Sequence, residues 1–307
     1  MYNFTPHELS EIESAFGKDF IAKVRTDLVT YSERWGLSDF ALIDYFSINC
    51  LFLCNSECYG GAVLKICGNT REETIREACT LTEYGGVKYC KIFASDLDNG
   101  VILIERLIPG IQLKKERSLM KRLSVFADLF TDLHITPVNP DAFPSYVGTA
   151  FYEMEEFLAR SDYAELRPYV LKATEILTEL SAKYNRDTLI HGDLHGDNIL
   201  LDRNDTYKIV DPHGFIADPV FELARFLTNE YDDDKVSQND GERKQYMLSI
   251  MDYFESKLFI PRAVMCMGFY LDMTLFQCWY ITIGEEPKYS DVKFAEYLCD
   301  DNGVTSC

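Results

Sequence analysis

The spacing of apolar positions changes character partway along the chain: short apolar or alternating runs fill the first hundred residues, and helical periodicity dominates the remainder. Thr5-Pro6-His7-Glu8 supplies an N-cap, a proline at the first helical position and a capping-box glutamate, which predicts a helix running towards Arg34 with a break near Gly17. Residues 40–46, 48–55 and 61–67 read as three strands of an antiparallel meander split by turn residues. Thr70-Arg71-Glu72-Glu73 is a second capping-box pattern, predicting a helix over 71–84. Two further strands, 88–94 and 101–107, flank a turn over 96–100.

From Lys115 onward the apolar spacing becomes helical over 119–133, 149–158 and 163–184. Two short strands around 199–201 and 207–210 bracket a turn over 202–205. Asp218 is a good N-cap with Pro219 at the first helical position. The acidic, poorly apolar stretch 230–242 reads as a loop. The expected architecture is α+β: a small lobe over 1–107, with a leading helix, a five-stranded antiparallel sheet and one key helix, then a mostly helical lobe over 108–307.

Composition narrows the function classes. At 307 residues the chain can bury one large core or two modest ones. A formal net charge of −20 opposes nucleic acid and anionic lipid surfaces and favours cationic small molecules as partners. The ten cysteines lack paired ligand spacing and fit the reduced thiols of a cytoplasmic protein. The most apolar tract, 258–284, contains Arg262 and Asp272, and two charges near a bilayer centre would cost roughly 5 kcal/mol, so it is expected to be a buried core helix.

The chemistry concentrates in His191-Gly-Asp-Leu-His-Gly-Asp-Asn198, followed by Asp211 at the end of the apolar run Tyr207-Lys-Ile-Val-Asp211. A carboxylate, a carboxamide five positions later and a second carboxylate form the set that phosphoryl transfer from ATP requires. Asp193 is the candidate base that orients an acceptor hydroxyl, and His191 is expected to brace the loop. Asn198 and Asp211 are the candidate Mg2+ ligands, because magnesium takes oxygen donors and uses few protein carboxylates beside nucleotide phosphates.

Lys65, in Ala62-Val-Leu-Lys-Ile66, sits in a strand ahead of a capped helix, the setting of a phosphate-contacting lysine. Its partner is expected to be Glu77, with Glu73 in reserve. No G-x-G-x-x-G occurs in the first two strands, so backbone amides or the Ser47 hydroxyl must cover the phosphates. Glu105, Arg106 and Leu107 are expected to supply carbonyl and amide groups to adenine, which makes Ser47, Lys65, Glu77, Glu105 and Leu107 the candidate nucleotide-binding residues.

With these residues in place, the chain resembles the aminoglycoside phosphotransferase and choline kinase superfamily, through His191-Gly-Asp193, Asn198, Asp211 and Asp218-Pro219. A nearer likeness is to streptomycin phosphotransferases. It is carried by Glu77-Ala78 with Gly85-Gly-Val87, Glu105-Arg-Leu-Ile-Pro-Gly110, residues 191–200 and residues 210–219. Ala217 stands where that pattern has glycine, and Phe221-Glu222 where it has Tyr-Asp. The resemblance implies a protein-kinase-like fold and transfer of the ATP γ-phosphoryl group to a hydroxyl of a cationic small molecule of the streptomycin type. The alternatives are a housekeeping kinase of choline, an amino alcohol or a sugar, and a nucleotide-binding module without activity.

Overall fold

In chain order the elements are α1 (Pro6–Phe16), α2 (Lys18–Trp35), β1 (Leu37–Leu42), β2 (Asn49–Ser56), β3 (Gly60–Cys67), α3 (Arg71–Tyr84), β4 (Ile92–Asp96), β5 (Val101–Glu105), α4 (Leu119–Phe130), α5 (Tyr146–Leu158) and α6 (Arg167–Lys183). There follow β6 (Thr188–Ile190), β7 (Ile199–Leu201), β8 (Tyr207–Ile209), β9 (Phe215–Ala217), α7 (Val220–Tyr231), α8 (Asp240–Leu258), α9 (Arg262–Thr282) and α10 (Tyr289–Asp300). This computed structural model describes residues 2–43, 49–68, 70–232 and 239–300. It divides into two compact units, one of residues 1–111 with 200–213 and one of residues 112–199 with 214–307.

The first unit is organised by its sheet, ordered β1-β2-β3-β5-β4 with antiparallel pairing throughout. The capping box forms as the sequence predicts, with Thr5 N donating to Glu8 Oε2 at 2.6 Å and Glu8 N to Thr5 Oγ1 at 3.2 Å. Gly17 then breaks the helix at φ +88°, a conformation open to glycine, and α2 begins. Successive strand side chains point to opposite faces, so Ala62, Leu64 and Ile66 enter a core with Val24, Leu28, Tyr31, Phe52 and Leu103 while Lys65 points the other way.

Strand β1 lies earlier than the expected 40–46. Asp39 takes a left-handed φ of +54° and the register with β2 shifts between Ser38 and Ala41, a local irregularity that an alternating apolar pattern does not reveal. At α3 the second capping box is replaced by a single side-chain contact, Thr70 Oγ1 donating to Glu73 Oε2 at 2.8 Å.

The β7–β8 hairpin completes this unit. Gly110 N donates to Leu201 O at 3.0 Å, Leu201 N to Ile111 O at 2.9 Å, and Ile209 N to Lys88 O at 2.9 Å. These bonds explain why residues 200–213 group with 1–111 although the sequence division placed them after residue 107.

The second unit is helical around α9, whose apolar length is buried against α5, α6, α7, α8 and α10. Among the described residues no helix is long and apolar enough to cross a membrane. Phe126 stacks on Phe226 with ring centroids 4.0 Å apart, and Phe254 meets both edge-on at 5.5 and 5.8 Å in its core. Two strands beyond those the sequence indicated, β6 and β9, pair antiparallel, each only three residues long.

The expected loop over 230–242 is shorter than the composition suggests. Helix α7 continues to Tyr231 and α8 starts at Asp240. Glu230 is buried and held bidentately by Arg122, with Nε–Oε1 at 2.9 Å and Nη2–Oε2 at 2.6 Å, so its acidic character is consumed inside the unit. Helix α7 also begins one residue later than the sequence placed it. Pro219 takes the N-cap position, and Asp218 Oδ1 still accepts Val220 N at 3.1 Å.

Candidate active site

In the first unit, β3, α3 and the segment after β8 converge on one lysine. Lys65 Nζ donates to Glu77 at 2.7 Å and to Asp211 Oδ1 at 2.5 Å. Lys65 and Glu77 are both buried, whereas the Asp211 side chain is 46% exposed, so the group opens to solvent only at Asp211. Burial works against the lysine charge, but Asp211 and Glu77 outweigh it and hold Lys65 above the usual lysine range. Burial likewise pushes the Glu77 carboxyl up, to about 7, against the opposing pull of Lys65.

One cation thus faces two carboxylates, leaving a net negative, oxygen-lined group whose accessible member is Asp211. Asp211 adopts φ +60°, a left-handed conformation that aspartate tolerates better than most residues. Its chain is tied to α3 by Arg76 Nε donating to His213 O at 3.2 Å. Glu73, the reserve partner for Lys65, bonds Thr70 instead.

In the second unit the loop between β6 and β7 folds around Asp193. Buried His191 accepts Asp193 N at Nδ1, 3.1 Å away, which fulfils the bracing role expected of it. Asn198 Nδ2 donates to the Asp193 carbonyl at 3.0 Å and to its Oδ2 at 3.3 Å. Since the amide nitrogen is committed there, the Asn198 carboxamide oxygen is the group left to meet a metal. His195 Nδ1 lies 3.3 Å from Asp197 N and 3.4 Å from Asp197 Oδ2, while Nε2 lies 3.3 Å from Asp193 Oδ2, so the ring bridges the two carboxylates.

Burial opposes the Asp197 charge, yet the His195 hydrogen bond and Lys114, 3.5 Å away, hold its carboxyl at about 2. Burial also opposes a charged His195, but Asp193 and Asp197 raise its pKa above the ordinary histidine value.

Three side chains around this loop, Glu222, Arg225 and Asn229, escaped the sequence reading. Glu222, almost fully buried on α7, accepts the backbone amides of His191 at 2.6 Å and Gly192 at 3.1 Å. Arg225, one turn further along α7, donates from Nε to Asp193 Oδ1 at 2.6 Å. The one available signal was the Phe221-Glu222 departure from Tyr-Asp, which marked the position without disclosing its contacts.

The remaining nucleotide-site candidates are placed differently. Ser47 lies outside the described residues. Glu105 pairs with Ala62 and Lys65 with Ile102, which puts Glu105 about 10 Å along the ladder from Lys65. The Glu105 amide donates to Lys91 O at 2.8 Å and its carboxylate takes Lys208 at 2.8 Å. A cavity of about 320 Å³ is lined by residues that include Tyr59, Phe93, Glu105, Arg106, Leu107 and Arg203.

Among the described residues no three His, Cys, Asp or Glu side chains cluster as a metal-holding set. Asp211 in the first unit and Asn198 in the second each present a hard oxygen, one a carboxylate and one a carboxamide oxygen, of the type magnesium takes as a ligand.

The sequence model of the family described as aminoglycoside/hydroxyurea antibiotic resistance kinase matches residues 39–253. Streptomycin 6-kinase of Streptomyces griseus is 25% identical over 159 residues, and the match spans half of this chain and about half the length of that relative. Choline kinase LicA of Streptococcus pneumoniae superposes with a TM-score of 0.63 at 13% identity, over 93% of this chain and 100% of that one. A thermostable mutant of aminoglycoside phosphotransferase APH(4)-Ia, a ternary complex with ADP and hygromycin B, superposes with a TM-score of 0.58 at 12% identity, over 91% and 99% of the two chains. At these identities the structural likeness shows a shared fold, the kinase-like α+β architecture expected from the sequence.

Proposed function

The chain belongs to the aminoglycoside/hydroxyurea antibiotic resistance kinase family, and from that premise we propose that it transfers the ATP γ-phosphoryl group to a hydroxyl of a cationic, streptomycin-like acceptor. The observation that carries this reading is the environment of Asp193. A carboxylate held by a histidine, a carboxamide and an arginine, on a loop pinned through its backbone, is preorganised to orient a hydroxyl rather than to sit in a solvated turn.

In the proposed reaction the acceptor oxygen forms a bond to the γ-phosphorus, the bond from that phosphorus to the β,γ-bridging oxygen breaks, and ADP leaves with the bonding pair. Asp193 takes the hydroxyl proton as the new bond forms. Lys65, steadied by Glu77, pairs with the nucleotide phosphates, and Asp211 with Asn198 would hold Mg2+, which when bound neutralises phosphate charge. Leu107 is the candidate amide for adenine, and Ser47 remains the candidate for covering the phosphates. The free thiols among the nine described cysteines suit a cytoplasmic, ATP-using enzyme.

The test is ADP release measured across streptomycin, hygromycin B, hydroxyurea, choline, homoserine and methylthioribose. Selective turnover of streptomycin is expected. Activity confined to choline, homoserine or methylthioribose would replace the antibiotic acceptor with a housekeeping one, and ADP release with none of them would favour a binding module.

A further inference from the structure

Helix α7 carries Glu222, Arg225 and Asn229 at spacings of three and four residues, which puts all three on one face. Each bonds a different part of the 191–198 loop. Glu222 takes the His191 and Gly192 amides at 2.6 and 3.1 Å, and Arg225 takes the Asp193 carboxylate at 2.6 Å. Asn229 accepts Gly196 N at 3.1 Å and donates to Asp197 Oδ2 at 3.2 Å. The loop is therefore held along its length by a single helical stripe.

Arg225 is the member of that stripe in contact with the candidate base. Its guanidinium lies 4.4 Å from the centroid of the Phe276 ring on α9, a cation–π contact that restricts its swing. Asp272, also on α9 and 8% exposed, lies within the electrostatic reach of the same guanidinium, and its Oδ2 has no hydrogen-bond partner among the described residues. Two helices thus fix one cation, and that cation fixes one oxygen of Asp193.

We infer that Arg225 is a positioning residue, which locks the Asp193 carboxylate in the orientation that receives the acceptor hydroxyl. The inference rests on Asp193 being the base. Nε occupies one lone-pair direction of Oδ1, and His195 with Asn198 occupy Oδ2, so the carboxylate cannot rotate without breaking a bond on each side. A misplacement of about 1 Å in such a group costs about a hundredfold in rate.

The experiment compares wild type with Arg225→Ala, Arg225→Lys, Asp193→Ala and the Arg225→Ala/Asp193→Ala double variant, reading kcat, KM for ATP and thermal melting, with and without added guanidinium chloride at non-denaturing concentration. Arg225→Ala is expected to lower kcat by about a hundredfold, leave KM for ATP within about threefold, and regain activity with guanidinium. Arg225→Lys, which keeps the charge but loses the planar donor, should remain impaired. In the Asp193→Ala background, loss of Arg225 should cost nothing further. Wild-type turnover in Asp193→Ala would overturn the base assignment itself. An inactive Asp193→Ala beside an Arg225→Ala of normal kcat, or one whose loss guanidinium leaves untouched, would overturn the positioning role alone.

Discussion

Glu222 accepts the backbone amide of His191 at 2.6 Å, from a helix that starts 29 residues after the histidine. A buried carboxylate that receives two amides spends its charge on holding a loop. Replacing it with Gln turns an –NH2 group towards one of those amides and forfeits a charge-assisted bond. We expect Glu222→Gln to lose about 1–3 kcal/mol of stability and to lower kcat by more than the stability loss alone accounts for. Thermal melting and steady-state turnover on one preparation would show it, and a wild-type kcat would contradict the pinning role.

Lys65 sits between two carboxylates, so the cost of removing it depends on what remains. Lys65→Met leaves Glu77 and Asp211 facing each other without their cation, and breaking such a buried pair costs about 3–5 kcal/mol. Adding Glu77→Leu removes one of the stranded acids and should restore part of that loss, while activity stays low in both variants. Chemical denaturation of the two single variants and the double variant would reveal the coupling. Strictly additive losses would contradict it.

Asp218 gives a pH-dependent prediction outside the catalytic groups. Burial works against its charge, but Arg186 and the Val220 amide prevail and depress its pKa. A group with a depressed native pKa contributes stability above its unfolded value of about 3.9 and loses that contribution as the pH falls through the native value. Arg186 is 68% exposed, so solvent screens the ion pair, and Asp218→Asn should cost about 1–2 kcal/mol near pH 7. The melting difference from wild type should shrink below about pH 4; a gap that persists at pH 2.5 would count against this origin.

Local signals in the sequence were legible where a few neighbouring residues decide the outcome. The Thr5–Glu8 box, the break at Gly17, the β2 and β3 strands and the α3 helix follow from short-range chemistry, and each formed within a residue or two of its expected place. The Lys65–Glu77 pair was also readable, because one strand and the capped helix after it fix both residues. Glu222 and Arg225 were not readable as loop braces, since their partners lie about thirty residues earlier and helical periodicity says nothing about which distant loop a polar face meets. Glu230 misled for the same reason: an acidic composition suggested surface, and Arg122, 108 residues away, buried it.

The charge of −20 makes a prediction about rate rather than fold. A strongly acidic protein should draw in a polycationic acceptor, so kcat/KM for streptomycin should fall by about tenfold or more as ionic strength rises from low to high. A neutral acceptor should show little change. Equal insensitivity for both would remove electrostatic steering.

The most direct test of the phosphotransfer reading is the turnover of Asp193→Ala with ATP binding measured alongside it. If Asp193 orients and deprotonates the acceptor, ATP affinity should stay close to wild type while kcat falls by about a hundred- to ten-thousandfold. Asp211→Ala should in addition weaken metal-dependent nucleotide binding. Turnover by Asp193→Ala equal to that of wild type would contradict the account.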